Sequence, residues 1–222
     1  MERRLAAILA ADMVGYSRLM GEDEAGTLDA LRSHRKELIE PKIAEHGGHI
    51  VKTMGDGLLV EFPSVVEAMQ CAVETQRAMA SRTAGVTEDE RIQFRMGINV
   101  GDIIIEDEDI YGDGVNVASR LEGLADPGGI CVRRAVRNQV RDKLPLAFED
   151  MGEVEVKNIA RPLRVFRVVL DETAAPGTVG RPTSKAAASR RPAIAVGILG
   201  LAAIVGGLAW WQPWQRSQGS RR

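Results

Sequence analysis

Two aspartates and a lysine occupy positions where side chains of those types could handle a polyanion. Asp12 closes an apolar run, 5–11, and Asp56 sits between Gly55 and Gly57 at a tight-turn signal flanked by apolar segments. Neighbouring strands could bring both carboxylates to one edge, and paired carboxylates suit Mg2+ or Mn2+ bound together with phosphates. Lys52 lies four residues before Asp56 inside an apolar segment. Asp109 precedes a helical segment carrying Asn116 and Arg120, which at i, i+4 share one helix face. Taken singly, each has an ordinary explanation: Asp forms turns and precedes helices, a strand lysine is solvated, and polar helix faces are common. The combination is harder to attribute to structure alone.

Other chemistries lack their residues. No Gly-rich loop ends in Gly-Lys-Ser/Thr, no GxGxxG follows a strand, and no Ser, His and Asp group around a nucleophile elbow. His46 and His49 invite a metal reading, yet Gly47 between them is well placed to end a helix and turn the chain. Cys71 and Cys131 are far apart, which suggests neither a disulfide framework nor a zinc site and fits a reducing, cytosolic setting. A formal charge of −2 and a pI near 6.0 give no basic footprint, so nucleic acid is not an expected partner.

These side chains need elements to hold them. The run 5–11 follows two arginines and could pass for a short signal peptide, but Asp12 ends it, and a buried strand is the better reading. Residues 23–45 read as a helix with a kink or break near Pro41. Strands 50–54 and 58–62 form a hairpin, 65–81 a helix, 92–100 and 103–106 a second hairpin, and 115–125 a helix. Strand 129–132, helix 134–143 and strand material at 148–157 and 163–170 follow. Crossovers mixed with hairpins imply an α/β sandwich on a mixed sheet, ferredoxin-like rather than doubly wound.

Composition changes after residue 170. Residues 171–192 are rich in Ala, Pro, Gly, Ser and Thr and read as a flexible linker. Residues 193–211 carry no charge and as a helix would span about 28 Å, close to the roughly 30 Å bilayer core, so a transmembrane helix in the lipid bilayer is expected there. Trp210, Trp211 and Trp214 stand at its C-terminal end, where aromatic rings favour the interface, and 212–222 forms a short polar tail.

Three segments together resemble the catalytic domain of class III nucleotidyl cyclases, the adenylate and guanylate cyclase family, over nearly all of a first domain at 1–170. They are Ala-Asp-Met-Val-Gly-Tyr-Ser at 11–17, Val-Lys-Thr-Met-Gly-Asp-Gly at 51–57, and Asp-Ile-Tyr-Gly-Asp-Gly-Val-Asn-Val-Ala-Ser-Arg at 109–120, with a weaker echo in Val-Lys at 156–157. The resemblance implies that Asp12 and Asp56 hold two Mg2+ or Mn2+ ions, that Asn116 orients a ribose, that Arg120 offsets charge at the α-phosphate, and that Lys157 binds further phosphate. It also implies a homodimer with two composite sites, metal carboxylates from one subunit facing Asn116 and Arg120 of the other. Hydrogen-bond inventory bears on the base: adenine offers an acceptor at N1 and a donor at N6, matching Lys52 and Asp109, whereas guanine offers the reverse. ATP, cyclised to 3′,5′-cyclic AMP, is therefore the expected substrate, with a guanylate cyclase or a silent nucleotide-sensing module as alternatives. The need for ATP puts the catalytic domain on the cytoplasmic side of the cell's inner membrane.

Overall fold

The computed structural model describes residues 2–106, 109–157, 159 and 161–170. The linker, transmembrane helix and tail expected at 171–222 lie outside these residues. Among the described residues, no helix is long and apolar enough to cross a membrane.

The run expected as a buried strand is longer than its apolar core. Strand β1 (Glu2–Met13) lies in the middle of the sheet, antiparallel to β3 (Gly57–Phe62) on one side and β4 (Phe94–Glu106) on the other. With β2 (His49–Met54), β5 (Asp109–Tyr111), β6 (Ile130–Arg133), β7 (Ala147–Val154) and β8 (Leu163–Val169), the order is β2-β3-β1-β4-β6-β8-β7, and β5 pairs with β4. Among the described residues only β4 and β6 run parallel, so the sheet is mixed, as the alternation of crossovers and hairpins implies.

Both faces of β1 are covered, which is why its sequence reads as continuously apolar rather than alternating. Ala7, Leu9, Ala11 and Met13 point to one face. There they pack with Val60, Phe62 and Ile98 beneath helices α2 (Glu24–His34), α3 (Glu40–Glu45), α4 (Val65–Arg82) and α6 (Arg134–Val140). Ala6, Ile8 and Ala10 point to the other, with Leu59, Ile103 and Ala118, under α5 (Asp113–Leu124). Burying a Leu, Ile or Phe side chain contributes about 1.5–3 kcal/mol, so the multi-helix face carries most of the stability and the α5 face is left free to carry polar groups.

One expectation is refined and one needs correction. The helix expected at 23–45 forms as an unbroken helical run, α2, a π-helical stretch (Arg35–Ile39) that interrupts its α geometry ahead of Pro41, and α3, with a short α1 (Tyr16–Glu22) before it. Pro41 stands at the start of α3, where its missing N–H costs little, and the wider π turn before it accommodates the ring. The hairpin expected between 92–100 and 103–106 does not form: β4 continues through Gly101 and Asp102 because the first residues of β1 pair with its far end, Arg4 opposite Ile103 and Glu2 opposite Ile105. Gly101 serves close packing, since a Cβ there would lie 3.0 Å from Gly114 Cα. Beyond 106 the chain does fold back, as β5.

Helix α5 is seated on β4 at glycines. A Cβ on Gly97 would overlap the backbone nitrogen of Glu122 and the carbonyl of Ala118. At the other end of the helix, the fully buried Asn99 donates a 2.9 Å hydrogen bond to Gly114 O. Gly97→Ala is therefore expected to cost about 1–3 kcal/mol through overpacking, read as a lowered urea midpoint. A midpoint equal to that of the unaltered protein would mean that α5 is not held tightly there.

Candidate active site

Asp12 is the second-to-last residue of β1 and shares the α5-side face with Ala10 and Ile8. Asp56 sits in the two-residue turn that joins β2 to β3, where Gly55 takes a φ of 61°. Because Ala11 pairs with Leu58, this turn closes directly beside Asp12. A Cβ on Gly57 would stand 3.2 Å from Ala11 O and 3.3 Å from Asp12 Oδ1, so a side chain there would press on the carboxylate. The Asp56 carboxyl is held above its ordinary range, first by burial and then by the charge and hydrogen bond of Asp12, while its own backbone N–H pulls the other way. The two acids thus share one small space, as the turn signal led one to expect.

A third acid and an arginine complete this end of the sheet. Arg95, opposite Asp12 in the β1–β4 register, sets Nη2 3.2 Å from Asp12 Oδ2 and Nε 3.3 Å from Glu122 Oε1. Burial pushes the Glu122 carboxyl up to about 7; Arg95 opposes this, and Asp12 and Asp56 add to it. Among the described residues, no three His, Cys, Asp or Glu side chains lie close enough to encage a metal by themselves. The arrangement fits a hard divalent cation, which binds one or two carboxylates and completes its shell with water and phosphate oxygens. His46 is accounted for otherwise: its Nδ1 pairs with Glu67 Oε2 at 2.9 Å, joining the end of α3 to α4.

Lys52, on β2, and Asp109, the first residue of β5, meet although β2 pairs with β3 and β5 with β4. Lys52 Nζ donates to both Asp109 oxygens, at 2.8 and 2.7 Å, and lies 5.4 Å from the centre of the Tyr111 ring. The hydrogen bond from Lys52 draws the Asp109 carboxyl below its usual range against a smaller effect of burial, and Asp109 in turn raises the Tyr111 phenol. The two side chains remain 33% and 27% exposed, so the pair stabilises the fold by at most about 1 kcal/mol. Its value lies in holding a donor and an acceptor side by side.

Asn116 and Arg120 are exposed on α5, with no side-chain hydrogen bond or ion pair among the described residues, and Lys157 is exposed in the turn after β7. One chain therefore brings Asp12 to Asp56 and Lys52 to Asp109, and leaves the other three facing solvent.

The family model of the adenylate and guanylate cyclase catalytic domain matches residues 3–170. The chain belongs to this family. A Rhizobium meliloti (strain 1021) protein provisionally named adenylate cyclase 3 is 50% identical over 164 residues, covering 74% of this chain and 28% of the relative. An adenylate cyclase of Streptomyces coelicolor is 33% identical over 144 residues, 63% of this chain and 35% of the relative. The chain thus spans about a third of the length of these curated relatives. Among solved structures, an adenylate/guanylate cyclase/hydrolase from Silicibacter pomeroyi superposes with a TM-score of 0.73 at 52% identity, covering 77% of this chain and 99% of that one. The adenylyl cyclase CyaB from P. aeruginosa gives 0.67 at 26% identity, covering 80% and 100%. The mixed-sheet α/β architecture of the chain is shared with these neighbours.

Sequence reasoning missed Arg95 and Glu122. A signal for the first was present: Arg95 is a charged residue inside the apolar run of β4. Glu122 had none, because only the seating of α5 on Gly97 turns it toward Arg95.

Proposed function

We propose that this cyclase converts ATP to 3′,5′-cyclic AMP and pyrophosphate at two equivalent sites of a homodimer. The observation that carries the reading is the meeting of Asp12 with Asp56 at the sheet end, with the Lys52–Asp109 pair joining β2 to β5. Asp12 and Asp56 would hold two Mg2+ or Mn2+ ions, which supply acidification of the ribose 3′-hydroxyl and charge neutralisation of the triphosphate. Lys52 donates to adenine N1, and Asp109 accepts from the N6 amine. The 3′-oxygen bonds to the α-phosphorus as the bond to the β-phosphate's bridging oxygen breaks. Asn116 orients the ribose for that in-line approach. Arg120 lies against the α-phosphoryl oxygens, where fixed positive charge stabilises the transition state more than the ground state. Lys157 binds the leaving phosphates.

The dimer is supported by what one chain leaves open. Asn116 and Arg120 face solvent, and a two-fold partner offering its own Asp12 and Asp56 supplies what they lack, twice over by symmetry. We further propose that the linker 171–192 and a membrane-spanning segment 193–211 tether the catalytic domain to the cytoplasmic side of the inner membrane, supported by the length and apolarity of that segment and its tryptophans.

One experiment addresses both readings. Cells expressing the full chain are separated into membrane and soluble fractions, each is given ATP or GTP with Mn2+ or Mg2+, and products are resolved by chromatography. Cyclic AMP made from ATP by the membrane fraction is the expected result. Cyclic GMP alone would make the protein a guanylate cyclase, activity confined to the soluble fraction would remove the tether, and no product from folded, dimeric protein would favour a nucleotide-sensing module.

A further inference from the structure

Arg95 and Glu122 have no part in the reaction outlined above, yet they lie beside its acids. The Arg95 guanidinium stands between two carboxylates, 3.2 Å from Asp12 Oδ2 and 3.3 Å from Glu122 Oε1. The Glu122 side chain is only 14% exposed, and its Oε1 is within ion-pairing reach of Arg95 but outside hydrogen-bond geometry, as is Arg95 Nε. An ion pair so placed is a poor device for stability, because desolvation offsets much of its attraction when the hydrogen bonds are incomplete. The Glu122 backbone is held in place, its nitrogen lying against Gly97 of β4. Arg95, partly exposed, is the member able to shift between the two acids.

Arg95 occupies an oxygen of Asp12, and any cation bound by Asp12 must compete with it. The Glu122 carboxylate, when ionised on the opposite side of the guanidinium, weakens that hold and adds to the attraction for cations. We propose that Glu122 is a positioning residue that acts through Arg95 to set how tightly the Asp12–Asp56 pair binds divalent cations. With Glu122 neutralised, Arg95 settles on Asp12 and cation affinity falls. With Arg95 removed, Asp12 is released and affinity rises. The inference rests on the reading of Asp12 and Asp56 as the cation-holding pair, so its test must separate the two.

The full-length chain, purified in mild detergent without nucleotide, is titrated with Mn2+, and free ion is followed by electron paramagnetic resonance. The proteins compared are the unaltered chain, Asp56→Ala, Glu122→Gln, Arg95→Gln and the Glu122→Gln/Arg95→Gln double variant. Glu122→Gln keeps the shape of the side chain, and circular dichroism verifies the fold of each variant. Glu122→Gln is expected to raise the Mn2+ Kd about tenfold, the lower end of what loss of an outer partner costs a metal site, and Arg95→Gln to lower it. In the Arg95→Gln background, Glu122→Gln should change Kd by less than about threefold, the residue of its direct charge effect. An unchanged Kd in Glu122→Gln, or the same change with and without Arg95, overturns the positioning role. Mn2+ binding indifferent to Asp56→Ala would instead overturn the metal reading itself, and the inference with it.

Discussion

Asp56→Ala is expected to lower cyclic AMP formation by at least about a thousandfold, roughly 4 kcal/mol of transition-state stabilisation, without weakening the fold. The size follows from what remains. Asp12 alone would face the Arg95 guanidinium 3.2 Å away, which offsets much of its pull on a cation. Stability should move the other way. Burial and the Asp12 charge raise the folded-state pKa of Asp56, so the folded protein binds this proton more tightly than the unfolded chain does. That favours the fold at acid pH and disfavours it increasingly as pH rises from the unfolded value through the raised folded one. At neutral pH the side chain is a net cost to the metal-free protein, and the urea midpoint of Asp56→Ala should equal or slightly exceed that of the unaltered chain. A clear fall in the midpoint would mean that activity is lost by unfolding. The same variant tests the composite site. Mixed with inactive Arg120→Ala in equal amounts, it should recover roughly a quarter of normal activity, because half the dimers are mixed and each has one intact site. No recovery in verified mixed dimers would show that each chain carries its site alone.

Most of what positions this pair could be read from residue order. Gly55-Asp56-Gly57 between two apolar runs specifies a hairpin tip, and the acid at the tip is then fixed in place. The run 5–11 specifies a strand, since Asp12 stops it too early for a signal peptide. What local pattern could not supply was pairing between distant segments. Gly101 followed by Asp102 has the chemistry of a turn, but β1 extends to Glu2 and its first residues pair with the far end of β4, which keeps that strand straight. Glycine there answers the approach of Gly114, a contact invisible until α5 is laid on the sheet. Arg95 and Glu122 escaped for the same reason. Neither is adjacent to a motif, and their meeting depends on register between β1 and β4 and on the missing Cβ of Gly97. The break near Pro41 was legible as a break, whereas its form, a π-helical stretch, depends on how α3 must turn to pack Ile43 into the core.

Base choice gives the second large effect. Lys52→Glu should reduce kcat/KM for ATP by about a hundredfold, well short of the 10⁴–10⁵-fold seen where a fully buried polar site loses its match, because Lys52 is a third exposed and water can partly replace it. The single change should not produce a guanylate cyclase. An acid at position 52 would meet the Asp109 carboxylate at the place where Lys52 Nζ now binds both of its oxygens, and two like charges in contact would push each other away from the base. Guanine needs an acceptor for its N1 proton and a donor for O6, which an acid at 52 and an amide at 109 could offer together. The Lys52→Glu/Asp109→Asn double variant is therefore the one expected to move the GTP-to-ATP ratio of kcat/KM upward, by more than the product of the two single effects, since each substitution relieves a conflict created by the other. A ratio that stays at the unaltered protein's value in all three variants would mean that the Lys52–Asp109 pair does not read the base, and that the donor and acceptor held side by side on these strands serve only each other.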